Sequence, residues 1–230
     1  MDNRSCVVYM VSSTAPPSTN PFQAVLGLSV SGREASAQKM PTKKRLCVYV
    51  GLGKGDSLPH WMNLVDKIIG FEADVENYAY IKTKSDPSIF RDRLELLNVA
   101  ADKKYGNKLL HRSEDGVSNS FYPIKDEKDS VEVRTMNICD YLWNLRRLSF
   151  IDYFILDTNG HDFVILKSME PYLIHKRIGS IYIKTTVAKT KKFLKYEALT
   201  QNYKLIQSPD DDLEAGLMWE KKPNPFSSSS

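Results

Sequence analysis

From Arg45 to Glu220, short apolar runs alternate with segments whose apolar residues recur every three or four positions, and this alternation predicts an α/β layer architecture. Arg45–Val50 reads as a strand ending in a glycine turn, and Leu58–Asp66 as a short helix with Pro59 tolerated in its first turn. Lys67–Glu72 and Leu94–Ala101 read as the second and third strands, with a helix over Val75–Lys84 between them. Lys108–Arg134 has β character broken by Gly116, Ser118–Ser120 and Pro123, which predicts an irregular inserted meander; Asn137–Leu148 then reads as helix. Ile151–Asp157 is almost wholly apolar, as expected of a central parallel strand covered on both faces. Phe163, Leu166 and Met169 form one stripe of a helix over Asp162–Met169. Ser180–Thr186 is the fifth strand and a basic helix follows around Lys189–Thr200. Tyr203–Gln207 and Leu217–Glu220 close the chain as an antiparallel pair.

Outside this pattern the periodicity stops. Residues 1–42 are rich in Ser, Thr, Pro and Ala and read as a mobile leader; residues 223–230 end in four serines and read as a disordered tail, leaving one domain over 43–222. Acids are scarce in the leader (Asp2 and Glu34), as in targeting peptides, but no clear apolar core precedes a small-residue cleavage site, so a cytoplasmic location is expected. The longest apolar runs fall far short of the roughly 20 residues of a membrane-spanning helix.

A chain of 230 residues with 42% hydrophobic and 26% charged residues can bury one substantial core. Its 32 lysines and arginines against 28 acids do not by themselves demand a nucleic-acid partner. The cations cluster, however: Lys176, Arg177, Lys184, Lys189, Lys191, Lys192 and Lys195 meet no acid between Pro171 and Tyr196, which predicts a basic face, while Asp210–Asp212 and Glu214 follow soon after. Cys6, Cys47 and Cys139 form no CxxC pair, so neither a disulfide framework nor a zinc site is expected.

The stretch Val48–Glu72 carries the most chemistry. Gly51, Gly53 and Gly55 follow a hydrophobic strand, where missing side chains let a ligand approach the backbone and the next helix N-terminus. The dinucleotide fingerprint would need glycine at Asp56, and the Walker pattern also fails. In a doubly wound sheet the first two strands are neighbours, so Glu72 at the end of the second can accept hydrogen bonds from both hydroxyls of a ribose held by the glycine turn.

Together these pieces resemble the FkbM-type family of S-adenosylmethionine-dependent methyltransferases over about residues 45 to 220. The resemblance is carried by VYVGLGKGD (Val48–Asp56), GFEADVENY (Gly70–Tyr78), LLNVAADKKYG (Leu96–Gly106) and IDYFILDTNGHDFVILKSM (Ile151–Met169). In the last, Asp152, Asp157, Gly160 and Asp162 keep the family's frame. Three charged family positions differ: Tyr49 replaces an acid, Ile155 a lysine and Asn159 a glutamate.

The resemblance implies a Rossmann-like class I sheet of seven mostly parallel strands in the order 3-2-1-4-5-7-6, ending in an antiparallel hairpin. It implies S-adenosylmethionine as cofactor, with Gly51, Gly53 and Gly55 lining its methionine and ribose side, Glu72 on the ribose diol, Asp157 at the amino-acid end and Asp102 near the adenine. It implies methyl transfer to a hydroxyl of a sugar, glycolipid or small metabolite. His161, after the fourth strand, is the candidate base and Asp162 a second catalytic candidate; Asp162 also suits the first turn of a helix without any catalytic role. Asp157, Asn159 and Asp162 could together ligate a cation, but only two are charged and no second cluster accompanies them, so no metal is expected. Two alternatives stay open: an RNA ribose methyltransferase, supported only by the basic 176–195 segment, and a non-catalytic binding or scaffold protein on a degenerate methyltransferase fold. Lys108–Arg134 is the longest segment able to cover the ligand crevice, so it is the expected lid.

Overall fold

The computed structural model describes residues 44–84, 92–185, 187–207 and 216–223. The leader, the terminal serines and the acidic loop at 210–214 lie outside the described residues. Five parallel strands build the main sheet: β1 (Leu46–Val50), β2 (Lys67–Glu72), β3 (Leu94–Asn98), β7 (Ile151–Leu156) and β8 (Ile178–Lys184). The hairpin strands β9 (Tyr203–Gln207) and β10 (Gly216–Lys221) complete it, with β10 antiparallel to both β8 and β9. The order is β3-β2-β1-β7-β8-β10-β9, the 3-2-1-4-5-7-6 arrangement of a Rossmann-like methyltransferase sheet. β1 lies between β2 and β7, with Val50 level with Phe71 and Leu156. The ends of these three strands therefore open on one crevice.

Helices cover the sheet: α1 (Leu58–Leu64), α2 (Val75–Lys84), α4 (Asp162–Ser168), α5 (Glu170–Ile174), α6 (Val187–Leu194) and α7 (Glu197–Asn202). The apolar run of β7 supplies Ile151, Phe154 and Leu156 to a core with Leu166, Met169, Tyr172 and Leu199, all fully buried. Among the described residues no helix is long and apolar enough to cross a membrane.

Four expectations need correction. The third strand divides: after Val99 the chain leaves the main sheet, and β4 (Ala100–Asp102) joins a second sheet. The insert is a regular structure: β5 (Gly106–Ser113) and β6 (Glu127–Asn137) pair antiparallel along their length, and β4 pairs parallel with β6. One face of this ribbon is solvated, so charged residues alternate with the few apolar ones and hide the strand pattern. The helix expected over Asn137–Leu148 is only α3 (Ile138–Asp140), running into a π-helical turn at Tyr141–Leu145. Arg147 in the left-handed region (φ 52°) stops it. Finally, the cations of 176–195 do not share one face, because β8 separates Lys176 and Arg177 at its start from Lys184 at its end. Seven extended residues span roughly 20 Å.

Candidate functional site

The glycine turn after β1 is built from left-handed residues: Gly51, Gly53 and Gly55 have φ of 81°, 54° and 80°. Gly51 is sterically required, because a Cβ there would lie 2.0 Å from the carbonyl oxygen of Asp157. Gly53 differs: a Cβ would meet only Val117, at 3.7 Å. Its amide donates to Glu72 Oε2 at 2.7 Å, and the Asp74 amide donates to Oε1 at 2.9 Å. The end of β2 thus holds the glycine turn through Glu72.

Glu72 is 5% exposed and makes no ion pair among the described residues. Burial pushes its carboxyl up to about 7, although the two amide hydrogen bonds partly offset the desolvation. Each oxygen takes one backbone amide and the Asn77 side chain also hydrogen-bonds the carboxyl, so a vicinal diol would compete with Asn77 there.

Asp157 ends β7 beside the turn, with Lys184 Nζ 3.4 Å from its carboxylate. Tyr49, which stands where the resemblance has an acid, bonds Ser57 Oγ through its hydroxyl at 2.8 Å. Burial raises the Tyr49 pKa far above its ordinary value, and the Asp157 charge adds to this. This part of the crevice therefore presents neutral hydroxyls with one carboxylate and one ammonium.

A turn of the β5–β6 ribbon crosses this crevice and bonds to all three of its loops. Lys54 Nζ donates to the Asp115 carbonyl at 2.7 Å, and Asn77 Nδ2 to the Gly116 carbonyl at 2.7 Å. Asn119 Nδ2 donates to Asp74 Oδ2 at 3.0 Å. Asn159 Nδ2 donates to the carbonyls of Val117 at 3.1 Å and Asn119 at 3.0 Å, and Ser120 Oγ to the Asn159 carbonyl at 3.1 Å. The turn is self-ordered: the Asp115 carboxylate accepts from Ser113 Oγ, Ser118 Oγ and the amides of Val117 and Ser118, which hold it well below the usual carboxylate range. The insert therefore meets the glycine turn itself. Within the ribbon, His111 pairs with Glu127 and buried Arg112 with Glu76 and Asp129.

Asp102 and His161, 59 positions apart, meet at 3.1 Å. Both are buried. Burial pushes the Asp102 carboxyl up, but Lys108 Nζ at 2.7 Å, the Lys103 amide and His161 outweigh it and keep the group ionised. Burial and the Lys108 ammonium lower the His161 pKa despite Asp102, so the imidazole is neutral at pH 7. Nε2 must then carry the proton it gives to Asp102, which leaves Nδ1, buried and without a hydrogen-bond partner among the described residues, as a bare acceptor. Phe121 closes edge-on against the ring at 5.0 Å. Asp162 is a loop brace: its carboxylate accepts from the Thr158 amide, Thr158 Oγ1 and the Gly160 amide at 2.7–3.1 Å. Asn159 and Asp162 thus tie loops together, and Asp157 meets Lys184.

Nothing in the sequence pointed to Asn77 or to the contact between Asp102 and His161. Asp74 was legible as a helix cap, since its Oδ1 accepts from the amides of Glu76 at 2.6 Å and Asn77 at 3.2 Å.

No family model matches the sequence, and no curated protein matches it. Solved structures do resemble the chain. An rRNA methylase from Streptococcus thermophilus is 14% identical, with 77% of this chain and 87% of that one covered and a TM-score of 0.44. A TehB-like SAM-dependent methyltransferase from Corynebacterium glutamicum is 13% identical, with 78% and 82% covered and a TM-score of 0.41. TrmK from M. capricolum, solved with S-adenosyl-homocysteine, is 12% identical, with 77% and 62% covered and a TM-score of 0.41. At such scores the strand order of the sheet, rather than these likenesses, carries the fold.

Proposed function

We propose that this chain is a divergent FkbM-type methyltransferase that binds S-adenosylmethionine over the ends of β1, β2 and β7 and methylates a hydroxyl of a sugar, glycolipid or small metabolite. The observation that carries the reading is Glu72: a buried carboxyl with no cation beside it among the described residues, gripping the open Gly53 turn from the neighbouring strand end. Such a group costs stability that its two amide hydrogen bonds only partly offset, and a polar ligand would account for its retention. Gly53 and Glu72 would take the ribose, Gly51 and Gly55 would shape the turn, and Asp157 with Lys184 would face the ammonium and carboxylate of the methionine part. Asp102, committed to His161 and Lys108, serves better as a positioning residue than as an adenine contact.

The bound cofactor would supply an already activated methyl group, so the protein has mainly to align a hydroxyl with it and accept one proton. His161 Nδ1 suits the second task. Asp102 fixes its tautomer, and the neutral ring is ready to receive a proton at physiological pH. Phe121 and the Asp115–Ser120 turn exclude water from this region and must withdraw for ligands to enter, which makes the turn a lid.

A second reading, a binding protein on a worn methyltransferase fold, is favoured by Tyr49 and by the hydrogen bonds that tie the turn across the crevice. Binding of S-adenosylhomocysteine separates the two. Glu72→Ala, if still folded by circular dichroism, should weaken that binding about 10- to 150-fold, the worth of charge-assisted hydrogen bonds of about 1.5 to 3 kcal/mol. Unchanged affinity in the folded variant would remove the ribose assignment.

A further inference from the structure

The opposite pole of the sheet carries a second surface that catalysis does not use. Two connections meet there: the π-helical turn leading into β7, and the link from α5 to β8. Trp143 joins them, with Arg177 stacked over its ring at 4.2 Å and the His175 ring at 6.4 Å. Each connection exposes one large aliphatic side chain, Leu145 at 65% and Ile174 at 52%. Each also holds a cation in the left-handed region, Arg147 (φ 52°) and Lys176 (φ 50°). Glycine would occupy both positions with less strain. A cation near a helix end gains a little from the dipole, but α5 is only five residues long.

The charge here is unbalanced. Glu95 is shared between Lys67 at 3.0 Å and Arg146 at 2.5 Å. Among the described residues Arg147, Lys176 and Arg177 form no ion pair. Unpaired cations around exposed aliphatic side chains match a surface that offers negative charge and an apolar layer beneath it. RNA would instead need a free aromatic platform, and Arg177 already covers a face of Trp143.

We propose that this pole docks on an anionic phospholipid membrane, with Leu145 and Ile174 entering the interface and Arg147, Lys176 and Arg177 held by the lipid phosphates and carboxylates. The proposal is independent of the methyltransferase reading, since β7 holds the crevice at its far end and the docking pole at its start.

The test is co-sedimentation of the full chain with vesicles of phosphatidylcholine alone and with about one-third phosphatidylserine. The wild type should sediment only with the anionic vesicles, and less as salt rises. Arg147→Gly/Lys176→Gly removes two charges and two left-handed side chains, so it should fold at least as stably by thermal melt. It should bind anionic vesicles about 25-fold more weakly, roughly fivefold per cation. Leu145→Ser/Ile174→Ser should weaken binding while keeping the charge. The proposal is overturned if the wild type ignores anionic vesicles, or if the double-glycine variant binds them as the wild type does. Capture of single-stranded RNA without vesicle binding, lost in the same variant, would make the pole an RNA surface instead.

Discussion

Glu72→Gln separates the cost of the buried carboxylate from the rest of the fold. Burial holds this carboxyl near 7, against 4.5 for the ordinary group. Between those values the folded chain keeps a proton that the unfolded chain has released. The stabilisation is therefore complete below about pH 4.5 and is lost as pH rises through 7. Linkage between pH 5 and pH 8 gives a loss of about 2.5 kcal/mol. Glutamine cannot ionise, so the variant lacks this loss, whatever it forfeits by offering a single carbonyl to the two amides of Gly53 and Asp74. Urea unfolding of both proteins at the two pH values measures the difference, and with a slope of about 2 to 3 kcal/mol per molar the wild-type midpoint should fall by about 1 M more than the variant's. Parallel pH dependence in the two proteins would refute the argument, because Glu72 would then ionise as an ordinary carboxyl.

Two further outcomes follow from the crevice. Gly51→Ala drives a Cβ to 2.0 Å from a backbone oxygen and should cost about 2 to 5 kcal/mol, whereas Gly53→Ala meets only Val117 and should cost about 1 kcal/mol; thermal melts rank the two. Asn159→Ala frees the turn from two hydrogen bonds and should speed S-adenosylhomocysteine association up to about tenfold in stopped flow, and an unchanged rate would mean that the turn does not gate the crevice.

The main sheet was legible because its strands are short apolar runs bounded by turn residues, and Ile151 and Phe154–Leu156 are buried as their composition requires. The second sheet was not. β5 exposes Leu109 and buries Leu110 and Arg112, so its pattern records a ribbon pinned by ion pairs more than an apolar face. The glycine turn and Glu72 announced themselves by spacing, since β1 and β2 are neighbours and nothing longer than one helix separates them. Asp102 and His161 gave no comparable signal. Their contact depends on the chain leaving the main sheet at Val99, and no local period encodes that step. The α3 boundary failed for a related reason: a π-helical turn keeps helical composition while ending in a left-handed arginine.

The central claim is that Glu72, as a carboxylate, receives the ribose of the cofactor. Equilibrium dialysis of S-adenosylhomocysteine against the full chain at pH 6 and pH 8 tests it most directly. Only the ionised form accepts both hydroxyls, so affinity should rise about tenfold between these values and the rise should vanish in Glu72→Gln. No binding at millimolar ligand, or equal affinity at the two pH values, would contradict the account.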